Sequence, residues 1–187
     1  MKGLSGVEQP LVKAVIIINH DGKRVCSRFC DRVQWDDQES QRDFEMTLLR
    51  KILTMGDLSE GVDVMEFKNF VVAYKQADDL LMFVVGGPLE NELIMAEVLQ
   101  SLDETLSITM RGQVFEEAVL DNLETVLLVV DELVDQEGVI MESEPAELAV
   151  RVGQQGGSFI DQVPLGEQTL GQALQTARDQ ITRSILS

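Results

Sequence analysis

A chain of 187 residues with 44% hydrophobic content can bury one sizeable core and is too short to need two. Its 33 acidic residues against 15 basic ones give a formal charge of -18. That average surface repels DNA, RNA and anionic headgroups, which are held by Lys and Arg on phosphate, so proteins with basic faces are the expected partners.

No apolar run reaches the roughly 20 residues needed to cross a bilayer, and Met1 to Pro10 lacks the cationic-then-apolar pattern of a secretory signal, so a cytosolic chain is expected. Residues 1–10 read as a flexible polar lead-in. Leu11 to Ile18 is apolar except for Lys13, which suits a strand buried on both faces. Asn19-His20-Asp21-Gly22 then supplies the positive φ angles of a hairpin turn, and Arg24 to Cys30 returns with alternation. The pattern places Val25, Ser27 and Phe29 on one face and Arg24, Cys26 and Arg28 on the other. The two cysteines, Cys26 and Cys30, share this strand. At a rise of ~3.3 Å per residue they stand about 13 Å apart, beyond the ~7 Å a disulfide allows. Two reduced, partly buried thiols are expected.

Asp36 and Asp37 precede Phe44, Leu48, Leu49, Ile52 and Leu53 at helical spacing, a capped helix that Gly56 stops. Val62 to Phe67, Phe70 to Tyr74 and Leu80 to Val85 are β-branched and aromatic, with short polar breaks that imply an antiparallel meander. The last two runs are almost continuously apolar. An antiparallel sheet needs that only if helices cover both of its faces.

After Gly86-Gly87-Pro88, Leu89, Leu93, Ala96, Leu99, Leu102 and Leu106 mark a helix over Leu89 to Ile108. Phe115 to Val134 reads as a further helical region, apolar around its whole circumference from Val126 to Val130 and therefore buried on two sides. One side is the sheet; the other is open to a partner, with Val119, Leu123, Val126, Leu127 and Val130 as candidate contacts. Val139-Ile140-Met141 extends briefly, and Ser143 with Pro145 opens a short helix to about Val152. A Gly/Gln-rich loop occupies 153–166. Over 167–187, Leu170, Leu174, Ala177, Ile181 and Ile185 form a narrow stripe on an amphipathic helix, which either folds back on its own domain or docks on another subunit through Leu170, Leu174 and Ile181.

No catalytic set accompanies these elements. Gly86-Gly87-Pro88 has the position of a phosphate loop but lacks its Lys and Ser/Thr, and Glu90 with Glu92 repels an anion there, so a tight helix entry is expected. The one histidine, His20, sits in a turn with no nucleophile tied to it by motif. Acidic pairs such as Asp131 with Asp135 lack the pattern of a calcium loop and read as a solvated helix face. No enzyme, cofactor or metal is expected.

Val12-Lys13-Ala14 through Asn19-His20-Asp21-Gly22-Lys23-Arg24, then Tyr74-Lys75 and Glu90-Asn91-Glu92-Leu93, resemble the zeta subunits of coatomer, within the family of adaptor-complex small subunits. So do Val130-Asp131-Glu132-Leu133-Val134-Asp135, Gly138-Val139-Ile140-Met141-Glu142-Ser143-Glu144-Pro145 and Pro164-Leu165-Gly166-Glu167-Gln168-Thr169. The matches run in register over roughly residues 12 to 183. The resemblance implies an α/β (α+β), longin-like fold over 11–152, a five-stranded antiparallel sheet with helices on both faces, plus the C-terminal helical extension. It implies a non-enzymatic core subunit of the COPI vesicle coat, paired with the trunk of the coatomer gamma subunit within the beta/gamma/delta/zeta subcomplex. Such a chain is cytoplasmic and peripheral on Golgi membranes and COPI-coated vesicles, meets membrane only through the coat, and serves Golgi-to-ER retrograde and intra-Golgi transport. The alternative is an adaptor small chain that binds acidic dileucine sorting signals. Arg24 matches that site's basic position, but Asp78, Asp103 and Gln113 stand where small or apolar residues are required. Burying a leucine pair against unpaired carboxylates costs more than the contact gains, so no dileucine binding is expected.

Overall fold

A computed structural model of the protein describes residues 11–56 and 61–156. The expected lead-in over 1–10, the remainder of the expected loop from 157 onward and the expected tail helix over 167–187 lie outside the described residues. Strand β1 (Val12–Asn19) and strand β2 (Arg24–Phe29) form the predicted hairpin. Its turn is held by the Asn19 carbonyl of the side chain, which accepts from the backbone N–H groups of Asp21 (3.1 Å) and Lys23 (2.8 Å). Helix α1 (Gln38–Leu53) starts where the Asp37 carboxylate accepts from the Ser40 N–H at 2.7 Å, and Arg50 with Lys51 occupy its last turn.

Strands β3 (Asp63–Phe67), β4 (Phe70–Ala77) and β5 (Leu80–Gly86) make the expected meander. Lys68 and Asn69 both take positive φ, 48° and 67°, in the two-residue turn between β3 and β4. All five strands form one antiparallel sheet in the order β2-β1-β5-β4-β3. β2 and β3 are its two edges, so the connection through α1 carries the chain across one face from edge to edge.

The central strands are apolar on both sides because each side has its own core. On the α1 side, Ala14, Ile16, Ile18, Val72, Tyr74, Leu81, Phe83 and Val85 meet Phe44, Leu48, Leu49, Ile52 and Trp35. The Trp35 ring lies 4.8 to 5.3 Å from those of Phe29, Phe44 and Phe70, a cluster that anchors the β2–α1 connection. The other side is covered by α2 (Glu92–Thr109), α4 (Leu123–Leu133) and α5 (Pro145–Gly156), packed on Val15, Ile17, Ala73, Leu80, Met82 and Val84.

Four expectations change. First, β2 does not alternate simply: the register steps from Ile17 opposite Cys26 to Ile18 opposite Arg24, leaving Val25 as a bulge. Arg24 therefore shares the α1 side with Phe29, while Val25 joins Cys26 in the other core. Second, α2 begins at Asn91, whose side chain accepts from the Leu93 N–H at 2.9 Å, and its buried row is Met95, Val98, Leu99, Leu102 and Leu106. Leu89 and Leu93 are 98% and 77% exposed. A backward step from Leu99 fits Met95 as well as Ala96, and the bare Gly86 decides for Met95: a Cβ there would stand 2.6 Å from the Met95 sulfur.

Third, the helix expected over Phe115 to Val134 is two helices, a short α3 (Glu116–Asp121) and α4. Asn122 breaks it, its amide donating to the Ala118 carbonyl at 2.8 Å in competition with the helical ladder. Fourth, α5 runs to Gly156, past the expected end at Val152. Gln155 donates to Glu132 of α4 at 2.6 Å, and Arg151 is paired with Glu132 (3.8 Å) and Glu142 (2.8 Å). Val139 and Ile140 form single bridges to Leu11 and Val134.

Candidate functional site

Charge is distributed unevenly along the chain. From residue 23 to 51, through β2 and α1, seven basic residues face six acidic ones. From 92 to 147, through α2, α3, α4 and into α5, there are 15 acidic residues and one basic residue, Arg111. The helical layer opposite α1 thus carries most of the net charge of -18. Glu116 is tied back to the hairpin by Asn19 (3.0 Å) and Lys23 (4.0 Å), and its N–H donates to Asp79 at 2.8 Å. Asp131 is paired with Arg28, which also donates to the Val134 carbonyl at 2.9 Å and so fastens α4 to the edge strand β2.

The candidate contacts on these helices separate by burial. Val119, Val126 and Val130 are at most 1% exposed and belong to the domain's own core. They are corrected from partner contacts to packing residues. The second covered side of α4 comes from α5, α2 and the β2 edge, which is why an apolar circumference needs no partner there. Leu127 is 45% exposed and Leu123 is half-buried, one turn before it. Leu120, absent from the candidates, is 41% exposed just ahead of the Asn122 break. Its position after Glu116-Glu117 in an acidic-apolar run was the available signal. Leu170, Leu174 and Ile181 lie outside the described residues.

The residues of the dileucine comparison do not form one site. Arg24 points to the α1 side, with Nε 2.8 Å from Glu45 Oε1 and Nη1 3.3 Å from Gln41 Oε1. Asp103 lies on α2, across the sheet, where Lys75 Nζ sits 2.5 Å from its carboxylate. The carboxylate expected to be unpaired therefore has a cation. Asp78 is in the β4–β5 turn at φ 52°, and Gln113 is exposed after α2.

The remaining chemistry is structural. At the Gly86-Gly87-Pro88 joint the Glu90 carboxylate accepts from the Leu11 N–H (3.2 Å) and Asn91 caps the helix, filling the place an anion would take. Burial pushes the thiols of Cys26 and Cys30 up to about 11, against the pull of Arg28, so neither is a thiolate near neutral pH. No metal-binding cluster occurs among the described residues, and no helix among them is long and apolar enough to cross a membrane.

Residues 11–157 match the family model of the clathrin adaptor complex small chain. The chain is similar to the coatomer zeta-1 subunit of Arabidopsis thaliana, 36% identical over 177 residues, which cover 95% of this chain and 97% of that one. It is equally similar to the coatomer zeta-1 subunit of Homo sapiens, 36% identical over 175 residues, 94% of this chain and 93% of that one. In three dimensions it resembles a chain of a homology model of the full-length AP-3 complex in a stretched open conformation. The TM-score is 0.58 at 17% identity, covering 79% of this chain and 95% of that chain, a likeness of fold.

Proposed function

The chain belongs to the clathrin adaptor complex small chain family, and from that premise we propose that it is the zeta-type core subunit of a COPI vesicle coat. The observation that carries this reading is the 36% identity to coatomer zeta-1 over 95% of the chain, far above its 17% identity to the AP-3 chain of like fold. The role is assembly and not catalysis: a rigid two-core domain completes a larger complex, and its stability is linked to partner binding. The partner is the α-solenoid trunk of the coatomer gamma subunit, within the beta/gamma/delta/zeta subcomplex. The protein then acts in the cytoplasm, peripheral on Golgi membranes and COPI-coated vesicles, in Golgi-to-ER retrograde and intra-Golgi transport. Membrane contact is indirect, as suits an acidic chain.

The test is to tag the chain in its own cells, isolate it under mild conditions and identify what fractionates with it. Recovery of beta, gamma and delta coatomer subunits in near-equal amounts is expected. Recovery of the large subunits of another adaptor complex instead contradicts the reading.

A further inference from the structure

The outward face of α3 and α4 combines apolar surface with unneutralised charge. Leu120 and Leu127 are 41% and 45% exposed, and Leu123 is half-buried between them in sequence. Glu117, Asp121 and Glu124 are exposed close to these leucines in sequence, Leu123 also packs in part against the core, and no ion pair of the three carboxylates occurs among the described residues. A shallow concavity of about 320 Å³ opens between Asp79, Glu116, Glu117, Leu120 and Asp121.

The chemistry of this face restricts what can cover it. Nucleic acid and anionic lipid are repelled. A second copy of the same face is also disfavoured, because a two-fold contact would set its carboxylates against one another. A purely apolar partner would strip water from the carboxylates without replacing it. A helix with Lys or Arg on either side of a leucine-sized row meets both demands: alkyl stems lie along Leu120 and Leu127 while the cationic heads reach the carboxylates. Leu123 and Leu127 stand about 6 Å apart along α4, the spacing of one ridge on a packed helix.

We propose that this α3–α4 face docks a basic, amphipathic helix of the coat's trunk subunit. The inference rests on the coat reading above and adds to it the surface and the chemistry of the partner. It also predicts that association weakens with salt, since exposed carboxylates attract over a distance that ions screen.

The experiment titrates the whole chain with a purified gamma-type trunk by calorimetry at about 0.05 and 0.5 M salt. Leu127→Asp, the triple variant Glu117→Lys/Asp121→Lys/Glu124→Lys, and Leu93→Asp on the separate exposed start of α2 are compared, each checked for folding by thermal melting. The expected result is a Kd raised at least about tenfold by Leu127→Asp and by the triple variant. Leu93→Asp should stay near wild type, and salt should raise the wild-type Kd. The triple variant alters only exposed side chains and keeps the test decisive if Leu127→Asp disturbs the fold. Wild-type binding that neither variant weakens overturns the surface while leaving the coat reading intact. Loss with Leu127→Asp alone, with no salt dependence, overturns the basic character of the partner. A wild-type chain that does not bind the trunk at all overturns the coat reading itself.

Discussion

Arg24 and Glu45 form an ion pair between β2 and α1, with the glutamate only 2% exposed. The atoms are close but poorly aligned: Nε and Nη2 of Arg24 and Oε1 of Glu45 make no hydrogen bond of proper geometry. Arg24→Met leaves a buried carboxylate without its cation and should destabilise the protein by about 3–5 kcal/mol. Arg24→Met/Glu45→Leu should restore most of that, both read from urea unfolding. Burial raises the Glu45 pKa above its usual value and Arg24 pulls it back only in part. A raised folded-state pKa means that Glu45 contributes most below its unfolded value of 4.5, a contribution lost as pH rises through the folded value. The stability difference between wild type and Glu45→Gln should thus move in favour of wild type as pH falls from neutral toward that value. A difference moving the opposite way contradicts the raised pKa. Asp37 behaves in the opposite sense: the Ser40 N–H holds its pKa down, so its contribution fades on acidification.

Gly138 takes φ 90°, and a Cβ there would lie 2.0 Å from the Val12 carbonyl oxygen at the start of β1. Gly138→Ala should cost about 1–3 kcal/mol from the backbone conformation alone, with the clash added, which thermal melting will register. At this scale the sequence was only partly legible. The turn residues Asn19 to Gly22 and the Asp37 cap could be read directly because their chemistry is local. The bulge at Val25 could not, since it depends on pairing with Ile17 and Ile18, and so the facing of Arg24 and its pairing with Glu45 were hidden.

At the scale of elements, the strands were legible because continuous apolar runs in β4 and β5 require a cover on both faces, and that cover is present. Helix α4 was not, for a physical reason. A helix apolar on every side has no amphipathic direction, so which residues are buried is decided by what packs around it. Here α5 covers a side expected to face a partner, and Val126 and Val130 are enclosed while Leu127, between them in sequence, is not. The contrast is testable by substitution. Val130→Asp places an unpaired carboxylate in the core and should lower the melting temperature severely or unfold the domain. Leu127→Asp should leave it within about 0.5 kcal/mol of wild type. Equal losses would mean that Leu127 is also a packing residue and that the exposed face is smaller than described.

At the scale of the molecule, the sheet separates two kinds of surface: a nearly balanced one around β2 and α1, and a strongly acidic one across α2 to α5. Acidity was plain from composition. Its concentration in one helical layer became visible only with the topology, which sends residues 92 to 147 to a single side of the sheet. Membership in the adaptor small chain family was legible from motifs spread along the chain, because a family is written in many positions at once. The proposed docking surface rests on few positions and was not legible: three of the five helical candidates are core, and the exposed Leu120 was not among them. The proposed role of the domain is to complete a pair of coat subunits. Co-expression of the full chain with a coatomer gamma trunk, followed by size-exclusion chromatography with light scattering, tests it most directly. A single species with the summed mass of one chain and one trunk is predicted; a folded chain that elutes alone, apart from a folded trunk, would contradict the account.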